Sequence, residues 1–137
     1  MSIQLASLVF DFGMVVLIWI VQLVVYPGLK FYQKNDLIQW HKRYIIKIAY
    51  VVMPLMIGQL SLAIVKVFTM FSPDHLIILA LITFVWISTF FQFLPMHNQI
   101  SFGDSDDLIL DQLIRKNWFR TVLLILVFLG NLYGFIG

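Results

Sequence analysis

The side chains best suited to chemistry lie in two short polar segments, Pro95-Met96-His97-Asn98 and Asn117-Trp118-Phe119-Arg120-Thr121. His97 can exchange a proton near neutral pH, because an unperturbed imidazole titrates there. Arg120 can stabilise an oxyanion. Asn117 lies three residues earlier on the same helix face and can orient a ligand. We therefore predict His97, Arg120 and Asn117 as the residues that would carry catalysis.

Further polar side chains fall at the same end of the apolar segments. Gln22 and Tyr26 are four residues apart and share a helix face. The predicted ligand-binding residues are Gln22, Tyr26, His41, Asn98 and Trp118. Taken singly, the histidines and Arg120 also fit interfacial anchors, since long polar side chains reach the headgroups at low cost. Trp118 also fits an aromatic belt at the membrane surface.

Four long uncharged runs must position these side chains: residues 12–29, 48–65, 76–96 and 121–137. Each is close to the ~20 residues that cross a ~30 Å hydrocarbon core as a helix. The chain is 61% hydrophobic and 12% charged, against about 25% charged residues in soluble domains. We predict one all-α membrane domain over 1–137, a four-transmembrane-helix up-down bundle. Its helices are expected at about 3–28, 43–69, 74–95 and 117–136.

Residues 105–116 are predicted to form a separate short amphipathic helix at the membrane surface. Apolar residues from Leu110 to Ile114 fall at i, i+3 and i+4 and make one stripe. Aspartates begin the segment and basic residues end it, an order that suits the helix dipole. Asp104 or Ser105 is the predicted cap.

The basic residues predict the orientation. All nine lie beside the first and third loops except Lys66, which lies toward the other end. Cytoplasmic loops carry an excess of Lys and Arg. Both termini are therefore expected outside, and the polar end is expected to face the cytoplasm.

A smaller polar group is expected near the opposite end of the bundle. Asp11 lies about 22 Å along helix one from Tyr26, and Gln59 falls at a similar depth on helix two. A hydrogen bond from Gln59 to Asp11, or a pair between Asp11 and Lys66, would join the two helices. A proton-relay role for Asp11 is the alternative.

Several site classes are excluded by composition. The chain has no cysteine and no glutamate, so thiolate chemistry and glutamate-bridged metal bundles are unavailable. No metal site is predicted, although His41 and His97 would be the axial ligands if haem were bound. No Gly-rich phosphate loop is present, and nucleic-acid binding is not predicted.

Short motifs recur along nearly the whole chain: Trp19…Gln22…Tyr26-Pro27, His41…Tyr44, Pro54-Leu55-Met56…Gln59, Trp86-Ile87-Ser88-Thr89, Pro95-Met96-His97-Asn98 and Asn117-Trp118-Phe119-Arg120-Thr121. Together they resemble a set of small uncharacterised bacterial four-helix integral membrane proteins. This resemblance implies a bacterial cytoplasmic membrane. The chain departs from the set at Gln59, where such sequences often carry glutamate, and in lacking a second histidine near His41.

The turn at Pro95 to Asn98 and the Asn117-x-x-Arg120 opening of helix four are similar to the anthrone-oxygenase-like membrane family of unknown function. Some members of that family oxidise polycyclic phenols without an evident cofactor. The resemblance implies an oxidoreductase for a hydrophobic aromatic substrate, with His97, Asn117 and Arg120 at the matching positions.

The leading prediction is a site at the cytoplasmic end for an aromatic or quinone-like small molecule. With such a site the protein could be an oxidoreductase. A non-enzymatic accessory or homo-oligomer-forming subunit is the alternative. A haem-binding membrane protein is the second alternative.

Overall fold

The computed structural model describes residues 2–103 and 106–137, and every regular element within these ranges is helical. Four of its helices are long and apolar enough to cross a membrane. They are α1 (Ile3–Phe31), α2 (Lys34–Thr69), α3 (Pro73–Ser101) and α4 (Asp107–Ile136). The predicted all-α four-helix fold is confirmed, and the protein is a multi-pass membrane protein.

The helices form a closed ring in chain order. Helix α1 packs on α2 and α4, and α3 packs on the same two neighbours. Short connections make consecutive helices run in opposite directions. The ring encloses three buried clusters along its length, centred on Phe93 and Ile100, on Met14 and Met56, and on Ile82. Side chains at the outer ring face lipid, which explains the many large exposed apolar residues.

Helices α1 and α2 approach each other closely at Gly58. A Cβ atom at this position would lie 2.3 Å from the ring of Phe10. Small residues permit such close contact between transmembrane helices, where packing rather than hydrophobic collapse drives association. Gly58 thus sets the spacing of α1 and α2 beside the Asp11 end of the bundle.

The ends of the helices differ from the sequence-based boundaries. Helix α2 begins at Lys34 rather than near residue 43, and α3 continues to Ser101 rather than stopping near residue 95. Helix α1 ends at Phe31, three residues beyond the predicted end, in a short 3₁₀ turn. The polar end of the bundle is therefore built on helices that extend past the uncharged runs.

The separate surface helix predicted at 105–116 is not observed. From Asp107 the chain runs as one helix to Ile136. Its apolar stripe is buried against α1 and α2, with Leu110 and Leu113 in the same cluster as Phe93. The predicted caps Asp104 and Ser105 lie outside the described residues, and Asp106 caps α4 by accepting from the Ile109 amide at 2.9 Å.

Two π-helical turns interrupt the α-helical hydrogen bonding, at Val21–Val25 in α1 and at Thr89–Phe93 in α3. Each ends two residues before a proline, Pro27 or Pro95. A proline lacks an N–H and its ring collides with the carbonyl four residues earlier. A widened turn with i to i+5 bonding relieves that collision. Helix α3 therefore passes Pro95 without ending.

Candidate functional site

Four side chains at the polar end form one continuous hydrogen-bonded series, here called the histidine chain. The hydroxyl of Ser101 is 2.9 Å from Nδ1 of His41. Nε2 of His41 is 2.7 Å from Nδ1 of His97. Nε2 of His97 is 3.1 Å from the Tyr26 hydroxyl. The histidine chain thus uses both ring nitrogens of both imidazoles.

Three helices position the histidine chain. Tyr26 follows the π turn of α1, His41 lies two turns into α2, and His97 and Ser101 are one turn apart on α3. The exposed fraction is 0% for His41 and 3% for Tyr26. Buried polar groups are costly unless hydrogen-bonded, and these groups satisfy one another. Ser101 is half-buried at the last residue of α3.

Arg120 brings a cation from the fourth helix to the same place. Its guanidinium carbon lies 4.4 Å from the ring centroid of Phe93, a cation–π contact. The side chain is 6% exposed, and its Nε has no hydrogen-bond partner among the described residues. The ion pair found among those residues joins Lys30 to Asp111 on the surface instead. Arg120 is therefore a buried cation without a carboxylate partner in the described structure.

A cavity of about 150 Å³ opens beside these groups. Tyr26, Tyr44, His97 and Arg120 line its polar end. The remaining wall is almost entirely apolar and extends along α1 as far as Met14, twelve residues or about 18 Å of helix from Tyr26. The shape is a narrow apolar slot with hydrogen-bonding groups at one end.

Gln22 and Asn117 form a clamp between α1 and α4 rather than part of the cavity wall. Asn117 donates through Nδ2 to Oε1 of Gln22 at 2.8 Å. Gln22 donates through Nε2 to the Ile114 carbonyl at 3.1 Å. Asn117 is fully buried, and its Oδ1 has no partner in the described residues. The two predicted site residues thus fix the helix that carries Arg120.

Two of the predicted ligand-binding residues point away from the histidine chain. Trp118 is 43% exposed and meets Trp19 edge-on at 5.6 Å between ring centroids. Asn98 is exposed on the outer side of α3. Each directly follows a buried residue. Because successive residues of a helix are rotated by about 100°, each side chain points to a different face from its buried neighbour. The structure therefore gathers Tyr26, His41, His97 and Arg120, with Gln22 and Asn117 behind them.

The geometry does not suit haem. Two axial imidazoles stand on opposite sides of a metal at about 2 Å each, so their ligating nitrogens are about 4 Å apart. The facing nitrogens of His41 and His97 are 2.7 Å apart and bonded to each other. The adjoining cavity of about 150 Å³ is also below the roughly 300 Å³ of typical cofactor pockets. No group of three metal-ligating side chains occurs within residues 2–103 and 106–137.

The opposite end holds a second polar network. Asp11 accepts from Gln59 at 2.8 Å, as predicted, and also from Asn131 at 2.5 Å. Lys66 donates to Oδ1 of Asn131 at 3.2 Å. A larger cavity of about 530 Å³ lies beside this network, and its lining mixes polar residues, among them Lys66, His75 and Asn131, with apolar ones. Asn131 binds both Asp11 and Lys66, and Gln59 binds Asp11, so the network links helices α1, α2 and α4.

Sequence reasoning missed Ser101 as a member of the polar end. The residue lies four positions after His97, so both share a helix face if α3 continues past Pro95. Ending the predicted helix at that proline concealed the relation. A second missed feature is the five-residue spacing of buried Ser88 and Phe93, which matches the i to i+5 hydrogen bonding of a π turn.

Proline-bearing helices and the Gln22–Asn117 clamp thus assemble a slot that ends in two tyrosines, one histidine and a buried guanidinium. Such a site can hold a ring in the slot and bind its oxygen at the polar end. Comparisons with protein-family models, with curated proteins and with solved structures find no match to this chain.

Proposed function

We propose that this protein binds the ring of a lipid-soluble phenol or quinone in the cavity. The oxygen attached to that ring would lie at the polar end. A tail on the ring would follow the apolar slot toward the bilayer. Lipid-soluble rings of this kind reach such a cavity through the membrane, so the surrounding apolar helices favour them over charged metabolites.

The observation that carries the proposal is the buried cation Arg120 at the floor of the cavity. A buried charge in an apolar interior is costly and is by default a candidate functional site when it occurs within a membrane segment. The groups beside it, His97 and Tyr26, can donate or accept a hydrogen bond. Together they match a ligand oxygen that carries a negative charge in one of its states.

The volume of the cavity limits the size of the ligand it can hold. An apolar cavity of roughly 150 Å³ accommodates one benzene-sized ring, and the cavity here is about 150 Å³. The polycyclic substrates implied by the anthrone-oxygenase-like resemblance exceed this volume. The proposed ligand is therefore a single substituted ring.

The chemistry we propose is reversible proton exchange at the ring oxygen. Arg120 would stabilise the oxyanion, since hydrogen bonds to charged groups are the strong ones. His97 and Tyr26 would supply or accept the proton. Gln22 and Asn117 would act as positioning residues by holding α4 against α1. If the site is catalytic, the enzyme we propose is an oxidoreductase that acts on such rings.

The test is to identify what the protein retains and what it binds. We expect purification in mild detergent to co-elute a single-ring phenol or quinone, visible by absorbance and mass spectrometry. We also expect decyl-1,4-benzoquinone and 4-nitrophenol to bind, and anthrone to bind at least about tenfold more weakly. Lipid alone in the eluate, with no binding of either single-ring probe, would favour the accessory-subunit alternative.

We also propose that the polar end faces the cytoplasm of a bacterial cell, with both termini outside. The basic residues beside that end support this orientation. Because the chain has no cysteine, single cysteines at Ser2 and at exposed Phe102 report each side directly. A membrane-impermeant maleimide added to whole cells should label the first and spare the second. Labelling of Phe102→Cys alone would invert the proposed topology.

A further inference from the structure

We propose that the histidine chain is a relay that carries one proton between the cavity and the aqueous end of the bundle. The proposal rests on the proposed function for the ring that gives or takes the proton. The relay itself stands on the contacts of Ser101, His41, His97 and Tyr26. It assigns His41 and Ser101 a role although neither lines the cavity.

The relay joins two different environments. Tyr26 and His97 line the cavity, whereas Ser101 is half-buried at the end of α3, beside the turn through exposed Phe102. Between them His41 is 0% exposed, so water cannot replace it as the hydrogen-bond partner of His97. A proton that travels between cavity and surface along this series must pass through His41.

Neutral imidazoles make the series directional. Each ring has one N–H donor and one bare nitrogen acceptor. If His41 carries its hydrogen on Nε2, it donates to Nδ1 of His97, which must then carry its own hydrogen on Nε2 and donate to Tyr26. If His97 carries its hydrogen on Nδ1, it donates to His41, which then donates through Nδ1 to Ser101. The two rings must therefore hold the same tautomer.

One passage of a proton converts one tautomer into the other. A hydronium ion gives a proton to the Ser101 oxygen and leaves as water, while the serine hydrogen moves to His41 Nδ1. The Nε2 hydrogen of His41 moves to His97 Nδ1, and that of His97 moves to the Tyr26 oxygen. The Tyr26 hydroxyl hydrogen then moves to the ligand oxygen. One bond to hydrogen forms and one breaks at each relay residue, and both rings end as Nδ1–H.

The converted relay is ready only for the reverse passage. A second inward proton would need both buried rings to turn over first. The series therefore suits a ligand that alternately gains and loses one proton, as a phenol and its phenolate do. Transfer by the relay in one direction sets up transfer in the other.

The first experiment reads the tautomers directly. The protein is labelled with nitrogen-15 at histidine, placed in nanodiscs and studied by NMR. Replacing His75 by glutamine leaves His41 and His97 as the two labelled rings. We expect equal tautomer populations for the two rings. Ser101→Ala should shift both to Nε2–H, because an unpaired acceptor costs less than an unpaired donor. Tyr26→Phe should shift both to Nδ1–H. Different tautomers on the two rings would overturn the relay.

The second experiment times the proton. Bound 4-nitrophenolate is coloured and loses its colour on protonation, so a downward pH jump follows proton uptake by stopped flow. We expect His41→Phe to slow uptake by the bound probe about 10²-fold, the lower range for a lost acid–base group. His75→Gln, at the opposite end, should not change the rate.

The outcomes separate the two proposals. Binding of 4-nitrophenol with unchanged uptake in His41→Phe would refute the relay and leave the proposed function standing. Failure of the wild-type protein to bind either single-ring probe would refute the proposed function. In that case matched tautomers that respond to Ser101→Ala and Tyr26→Phe still support the relay, and unmatched ones refute it.

Discussion

Replacing Asp11 by alanine should destabilise the protein by up to about 3–5 kcal/mol, the cost of leaving a buried charge uncompensated. The carboxylate accepts from two amides and is linked through Asn131 to Lys66, which is only 4% exposed. Its loss leaves a buried cation without a counter-charge. Unfolding in bicelles by added SDS, followed by far-UV circular dichroism, measures the change.

Three comparison variants isolate the charge effect. Gln59→Leu removes a hydrogen bond from the same network and should cost only about 0.6–1.7 kcal/mol, as such bonds do in membrane proteins. Lys66→Met combined with Asp11→Ala should recover most of the loss, since no charge is then stranded. Asp36→Ala on the surface should cost no more than about 1 kcal/mol. Equal costs for Asp11→Ala and Gln59→Leu would show that charge is unimportant there.

Replacing Arg120 by methionine should lower the affinity for 4-nitrophenolate by about 10- to 150-fold, the equivalent of 1.5–3 kcal/mol for a hydrogen bond to a charged group. The same change should leave stability unaltered or raise it by about 1–2 kcal/mol, because methionine fills a similar volume without a buried charge. Equilibrium dialysis of the probe and SDS unfolding of the same preparation measure both quantities.

Arg115→Met is the matched control for this variant. Arg115 is on the same helix but exposed, so neither affinity nor stability should change by more than about 0.5 kcal/mol. The opposite result, unchanged affinity with several kcal/mol lost in Arg120→Met, would make the guanidinium a structural group. That outcome would favour the accessory-subunit alternative over a ligand site.

The number of helices was predictable, because each span is encoded in a run of about 20 apolar residues. So was the meeting of polar side chains at one end, since alternating helix direction brings Tyr26, His41, His97 and Arg120 to the same level. The link from Gln59 to Asp11 followed from matching depths. All of these depend on position along a helix, which sequence spacing reports well.

The rest depends on rotation about a helix and on where polar helices stop. Trp118 was grouped with its neighbours although it lies about 100° from Asn117 on α4. The first turns of α2 and α4 carry charged residues. A run of uncharged residues therefore does not reveal where these helices begin. Lys34 and Asp107 begin helices because tertiary packing of Leu37 and Leu110 extends them. Side-chain pairing between helices, such as His41 with His97, lies beyond what spacing alone specifies.

The π turns at Val21–Val25 and Thr89–Phe93 have a consequence for how such a polar end can arise. Each is equivalent to one extra residue in an α-helix, and one residue corresponds to a rotation of about 100°. Before the turns, α1 and α3 present packing faces; after them, they present Tyr26 and His97 to the interior. A single-codon insertion in each helix is therefore a short evolutionary route from a bundle with an apolar interior to one with polar side chains inside one end.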